Sequence, residues 1–136
     1  MSPPFVHELR VRYGECDPQG IVFNANYLLY CDVLITELWR AAVGAWDAMV
    51  QRGVDVVLGA VELRFRGAAR FDDVLALEAT ITALGRTSIT TEVAVRRRDE
   101  LLTEATMRHV CVDAATYAKT ELPPWLRDGL RPFAVG

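Results

Sequence analysis

Residues 24–43 restrict the fold of this chain more than any other stretch. The stretch reads as one long, almost wholly apolar helix, with Asn24 where an N-cap is expected and Gly44 as a C-terminal stop. The few polar residues, Asn26, Asp32, Thr36, Glu37 and Arg40, share one arc of the wheel, and the rest of its surface is apolar. Such a helix has to be covered on most of its sides. No other segment is long and helical enough to do this. A sheet must wrap it.

The remaining chain supplies that sheet. Residues 5–13 alternate loosely, with Leu9, Val11 and Tyr13 on one face, and read as a half-buried strand. A short helix is expected at 45–51, ended by Arg52 and Gly53. From there the texture changes to strands at 54–66, Val74–Leu84, 86–97 and 101–114, with Arg98, Asp99 and Glu100 at a hairpin tip. Three or four long strands in succession imply an antiparallel meander. Pro123, Pro124 and Trp125 open a short closing helix within 119–130. The layout is α+β, one long curved antiparallel sheet around one central helix, in a single domain spanning 1–136. Because one sheet covers only one side of that helix, the open sheet face and its edges invite a second copy.

Composition narrows the function classes. At 136 residues the chain can build one real core, and 51% hydrophobic with 24% charged residues is the balance of an ordinary globular protein. A net charge of −3 argues against nucleic-acid binding, which needs a basic surplus. Asp32, Thr36, Glu37 and Arg40 interrupt the most apolar segment, so no membrane span is expected. Residues 1–7 show neither a basic nor an apolar leader region. Cys16, Cys31 and Cys111 are odd in number and scattered, the pattern of reduced thiols in the cytoplasm rather than a disulfide framework or metal site.

Chemistry concentrates in the loop before the helix. Asp17 sits beside Pro18 in a turn with Gly20, followed by Ile21, Val22 and Phe23. An Asp before a Pro is often only a turn former. Here, apolar neighbours would desolvate the carboxylate and hold its direction, while the unpaired N–H groups at 24–27 could receive an oxyanion. A carboxylate facing an oxyanion hole is a workable acyl-transfer site. Rival constellations are absent: His7 and His109 sit on strands, Cys16 lacks a nearby His, and no serine elbow or nucleotide fingerprint occurs. Cys16 reads as a small buried filler, and Glu37 with Arg40 as a surface or interface pair.

The run Tyr13-Gly14-Glu15-Cys16-Asp17-Pro18-Gln19-Gly20-Ile21-Val22-Phe23-Asn24-Ala25-Asn26-Tyr27 resembles the signature of hotdog-fold acyl-CoA thioesterases of the 4-hydroxybenzoyl-CoA thioesterase type, in which D-x-x-G-[IV]-[VL] precedes a short spacer and N-Y. Phe71-Asp72-Asp73-Val74-Leu75 supports the likeness. The resemblance implies the hotdog fold, a homodimer or homotetramer with interfacial active sites, and thioester hydrolysis without metal or other cofactor. Carried over by position, Asp17 is the catalytic nucleophile or general base. Gly20 permits the tight loop, and the Asn24 N–H polarises the carbonyl, although many relatives have Tyr or His at that place. Phe23 and Tyr27 are expected at the substrate, and Asp32 resembles a ligand for an aryl hydroxyl. Arg86, Thr87 and Ser88 match the segment that contacts the nucleotide of coenzyme A. The alternatives are release of acyl groups from an acyl carrier protein, or a non-catalytic module that binds acyl thioesters.

Overall fold

The computed structural model describes residues 4–135. Met1, Ser2, Pro3 and Gly136, and with them the start of the segment read above for a leader, lie outside the described residues. In chain order the elements are β1 (Phe5–Arg10), α1 (Asn24–Val43), α2 (Trp46–Gln51), β2 (Val54–Phe65), β3 (Val74–Leu84), β4 (Ser88–Arg97), β5 (Glu100–Asp113) and α3 (Pro124–Leu130). Two 3-10 turns, Tyr13–Glu15 and Arg131–Phe133, complete the set.

The five strands form one antiparallel sheet in the order β1-β3-β4-β5-β2. β3, β4 and β5 make the expected meander. β2 does not join it in sequence order: it crosses over to pair with β5, from Val54 opposite Asp113 to Phe65 opposite Thr103. The reason lies elsewhere in the sheet: β3 fills its other edge with β1 (Arg10 opposite Val74), which leaves β5 as the free neighbour. Register shifts at Leu58/Ala60 and Ile81/Ala83 mark bulges, which bend and twist a sheet and so let it curve.

Within that curve lies α1. Tyr27, Tyr30, Cys31, Leu34, Ile35, Leu38 and Trp39 form its buried stripe and meet Leu75, Leu77, Ile81, Ile89, Val93, Ala105 and Met107 of the sheet in one core. Each such aliphatic side chain contributes about 1.5–3 kcal/mol on burial. Asp32 and Arg40 lie exposed on the opposite side, and Glu37 pairs with Arg40 as expected. α3 closes the far end of the helix. A Cβ at Gly129 would stand 2.7 Å from the Ala42 carbonyl oxygen and 2.6 Å from Val43 Cγ1, so only glycine lets the two helices approach this closely. Among the described residues, no helix is long and apolar enough to cross a membrane.

At two places the local structure departs from the sequence reading. β1 ends at Arg10, and the expected end of the strand is a 3-10 turn, because Glu15 N–H donates to the Arg12 carbonyl while Arg12 N–H donates to the Glu15 carboxylate. Asn24 is the first helical residue rather than the cap. Phe23, extended at φ −65° and ψ 138°, holds the cap position without a side-chain bond.

Candidate active site

The D-x-x-G pattern folds as a small hairpin. Asp17 N–H donates to the Ile21 carbonyl at 2.8 Å, Gly20 N–H donates to the Asp17 carbonyl at 2.9 Å, and Cys16 bridges Val22. Three loop residues whose last member is left-handed is a common hairpin connection, and Gly20 takes φ +80° at no steric cost. Asp17 closes the turn with its side chain as well, one carboxylate oxygen (Oδ1) accepting the Gln19 N–H at 2.8 Å. Aspartate is therefore both the turn former and the candidate catalyst, with Oδ2 uncommitted among the described residues.

The hairpin is docked on the loop before β3. Val22 N–H donates to the Ala69 carbonyl at 2.9 Å, and Ile21 bridges Arg70. That loop is in turn fixed by Arg97, which binds the Ala68 carbonyl at 3.1 Å and Asp73 at 2.8 Å. Hydrogen bonds from Arg97 and from the Arg70 N–H hold the Asp73 carboxyl below its ordinary range against the opposing effect of burial, so it stays ionised in its pair.

Beside Asp17 opens a hollow of about 540 Å³ lined by Tyr13, Gly14, Cys16, Pro18, Gly20 and Phe71. The Tyr13 and Phe71 rings meet edge to face with centroids 5.9 Å apart, yet the two residues are 80% and 55% exposed. Two aromatic side chains left in solvent next to a carboxylate form a wall suited to an apolar group. Cys16, expected as a buried filler, is only half-buried and belongs to this lining. Of the apolar neighbours expected to desolvate Asp17, only Val22 is buried, and it belongs to the core; Phe23 is 52% exposed.

The start of α1 is held to the same unit. Phe23 N–H and the Asn26 side-chain amide (Nδ2) both donate to the Glu15 carbonyl, at 3.0 and 2.8 Å. Glu15 and Asp17 are two residues apart, so their Cα atoms lie within about 7 Å. Among the described residues no acceptor takes the N–H groups of Asn24 and Ala25, which leaves them at the positive end of a 20-residue helix. Asn26 N–H is spent on the Phe23 carbonyl at 2.8 Å.

Glu15 itself was not singled out in the sequence. It is only 8% exposed and fully satisfied. Oε1 accepts the Arg12 N–H and the Tyr30 hydroxyl, each at 2.8 Å, and Oε2 accepts Arg12 Nε and Nη2 at 3.0 and 2.7 Å. Although burial alone would raise its pKa, the bonds from Arg12 and Tyr30 outweigh it and hold the carboxyl below its ordinary value. The signal that could have found it is the spacing of Asn26 and Tyr30, four apart and so on one helical face.

The other expected site residues are placed elsewhere. Tyr27 lies in the core, its ring 5.5 Å from that of Phe65 and its hydroxyl accepting the Ala69 N–H at 3.1 Å, so it pins the β3 loop rather than lining the hollow. Asp32 stands on the exposed side of α1, eight residues or about 12 Å along the helix from Asn24. Arg86, Thr87 and Ser88 follow the far end of β3. That 11-residue strand spans about 33 Å, with the Asp17 loop at its beginning. Arg86 is also paired, 2.7 Å from Glu121. Within one chain none of these reaches Asp17.

A second hollow, of about 360 Å³, lies on the outer sheet face among Arg64, Glu78, Glu92, Arg96 and Glu104. Its charges are consumed in pairs, Arg64 with Glu104 and Arg96 with Glu78. No cluster of side chains able to hold a metal occurs among the described residues.

One five-stranded antiparallel sheet wrapped on a single long helix, with the Asp17 hairpin docked beside the loop before β3, is the hotdog architecture. The profile of the thioesterase-like superfamily matches residues 11–130, and the chain belongs to that family. It is thus an enzyme of the thioester-hydrolase class. The acyl-CoA thioester hydrolase YbgC of Escherichia coli O6:H1 is 30% identical over 116 residues, 85% of this chain and 87% of that protein. The 1,4-dihydroxy-2-naphthoyl-CoA hydrolase of Synechococcus elongatus is 27% identical over 128 residues, 89% of this chain and 90% of that protein. Among solved structures, the dynemicin thioesterase superposes with a TM-score of 0.88 over 98% of this chain and 99% of its own, at 20% identity.

Proposed function

We propose that this chain hydrolyses an acyl-coenzyme A thioester to the free acid and coenzyme A, with Asp17 as the catalytic carboxylate. The observation that carries this reading is the free Oδ2 of Asp17 beside an apolar hollow, in the same hydrogen-bonded unit as the open N-terminus of α1. In the nucleophilic course, Oδ2 attacks the thioester carbon and the N–H groups of Asn24 and Ala25 receive the charge that develops on the carbonyl oxygen. The C–S bond breaks, the thiolate leaves, and water cleaves the resulting mixed anhydride to return Asp17. In the general-base course Asp17 takes a proton from a water that attacks the same carbon, the C–S bond breaks, and the departing thiolate receives that proton. Both courses use the carboxylate in its ionised form.

The hollow walled by Tyr13 and Phe71 would receive the acyl group, with Phe23 at the rim of the helix start. The names of the YbgC and 1,4-dihydroxy-2-naphthoyl-CoA relatives support coenzyme A as the carrier and include an aromatic acyl group. Asp32, Arg86, Thr87 and Ser88 fit only if a second copy brings them to the site. That ties the reading to a homodimer or homotetramer. β2 supports such assembly: among the described residues its outer edge is unpaired, and it carries Val57, Leu58, Val61 and Phe65 in solvent, a surface that proteins normally cover.

Replacing Asp17 with Asn tests the assignment. Initial rates on benzoyl-CoA should fall by about 10²–10⁴-fold, the scale of a positioned acid or base, with the oligomer unchanged by light scattering. Wild-type rates in the variant would end the assignment, and a wild-type protein that binds but never turns over acyl-CoA would make it a binding module. Faster release from an acyl carrier protein than from coenzyme A would reassign the carrier.

A further inference from the structure

We propose that Glu15 is the positioning residue of this site, holding the first turn of α1 in register with the Asp17 hairpin through its own backbone carbonyl. The proposal rests on the reading of Asp17 given above. Glu15 joins three pieces of chain that must keep one geometry for that chemistry: the 3-10 turn before the hairpin, the first turn of α1 and the second turn of α1. Its carbonyl takes Phe23 N–H and Asn26 Nδ2, filling both lone pairs on the face of the helix start. Its side chain reaches past that turn to Tyr30, one turn further on.

Glu15 cannot itself be the base. A carboxylate offers about four acceptor directions, and all four are occupied by Arg12 and Tyr30. Simple capping does not explain it either. A neutral side chain would cap the 3-10 turn without the cost of burying a charge, whereas this chain buries a carboxylate and offsets the cost with charge-assisted bonds. Such bonds are short, directional and about twice as strong as neutral ones. They suit a joint whose displacement by an ångström would separate the oxyanion donors from the carboxylate and cost up to 10²-fold in rate. The consequence is a division of labour within three residues: Asp17 acts, Glu15 aims.

Three variants test it on the intact enzyme, with kcat and KM on benzoyl-CoA at 25 °C and Tm recorded for each. Asn26→Ala removes one tie to the carbonyl, Tyr30→Phe removes one carboxylate partner while keeping the ring, and Glu15→Gln removes the charge. The expected result is a drop in kcat of about tenfold for the first two and more for the third, with KM within twofold of wild type. Should Glu15→Gln fail to fold, the other two decide. Folded variants with lowered Tm but wild-type kcat would overturn the proposal and leave Glu15 a structural residue only, as would a change confined to KM. Asp17→Asn run alongside separates the two ideas: full activity there removes the reading of Asp17, whereas a dead Asp17→Asn with unaffected Asn26→Ala and Tyr30→Phe removes only the role of Glu15.

Discussion

The two ends of α1 solve the burial of polar groups in opposite ways. At the N-terminal end Glu15 satisfies each of its backbone and carboxylate groups, and the exposed surface beyond it holds the uncommitted Oδ2 of Asp17 and two free N–H groups. Thr103 Oγ1, near Tyr27, is the one buried hydroxyl left without a partner at this end among the described residues, whereas toward the C-terminal end such groups gather. Trp39 is fully buried with its ring 5.9 Å from that of His109, and Trp39 Nε1, His109 Nδ1 and Thr91 Oγ1 have no hydrogen-bond partner among the described residues. Trp46 adds a further ring 6.0 Å from Trp39. One end spends hydrogen bonds to hold a shape open to solvent; the other relies on packed area. Substitutions at the first should change rate with modest effect on stability, and substitutions at the second the reverse.

The sharpest contrast sets Asp17→Asn against acid titration of His109. The first should remove 10²–10⁴-fold of turnover without moving the melting curve. The second should act on stability alone. Burial pushes the His109 imidazole down to about 4 from its ordinary 6.5, so the native state keeps it neutral where the unfolded chain already binds a proton. Its stabilisation is therefore complete above about pH 6.5 and is lost as pH falls toward 4, about 3 kcal/mol in all and about 2 kcal/mol of it by pH 5. Glu15, Asp73, Glu104 and Asp113, all shifted downward, keep their contributions until the pH reaches the carboxylate range. Urea melts at pH 7 and pH 5 measure the window between, and His109→Gln should flatten it. A flat wild-type profile would contradict the comparison.

Next in size is the wall of the hollow. Phe71→Ala removes an aromatic partner worth about 0.5–1.5 kcal/mol to a ring lying against it. With the hollow as the acyl site, kcat/KM on benzoyl-CoA should drop roughly three- to tenfold relative to propionyl-CoA, with Tm nearly unchanged because the side chain is 55% exposed. Equal losses on both substrates would show that the wall does not read the acyl group.

How far the sequence discloses all this follows the distance over which each feature is built. The helix Asn24–Val43, the strand Val74–Leu84 and the hairpin tip at Arg98 are local patterns and are found where periodicity and turn residues put them. The Asp17 turn is equally local, since Asp, Pro and Gly each shape a turn by their own geometry. The pairing of β2 with β5 is not, because it depends on β1 having taken the free edge of β3. Tyr27 looks like a wall residue from its place in the motif, but the β3 loop 42 residues on draws its hydroxyl inward. Glu15 is hidden from the sequence for the same reason. Its partners Asn26 and Tyr30 are 11 and 15 residues away and meet it only once the loop has folded back on α1.

The smallest expected effect comes from Thr91, and it probes the comparison at its weakest point. Its hydroxyl is fully buried on the inner sheet face opposite Met107, with no partner for Oγ1 among the described residues. An unpaired buried hydroxyl costs free energy, about 1–3 kcal/mol on mutational scales, whereas valine has the same branched shape and a strong preference for strands. Thr91→Val should therefore leave kcat and KM alone and raise stability by roughly 1 kcal/mol, a shift of the urea midpoint at constant m-value. The parallel change at the other end, Tyr30→Phe, also deletes one hydroxyl from the core but should lower kcat, because that hydroxyl has a partner. If both substitutions behaved alike, the difference between a satisfied joint and an apolar core would not be what separates the two ends of this helix.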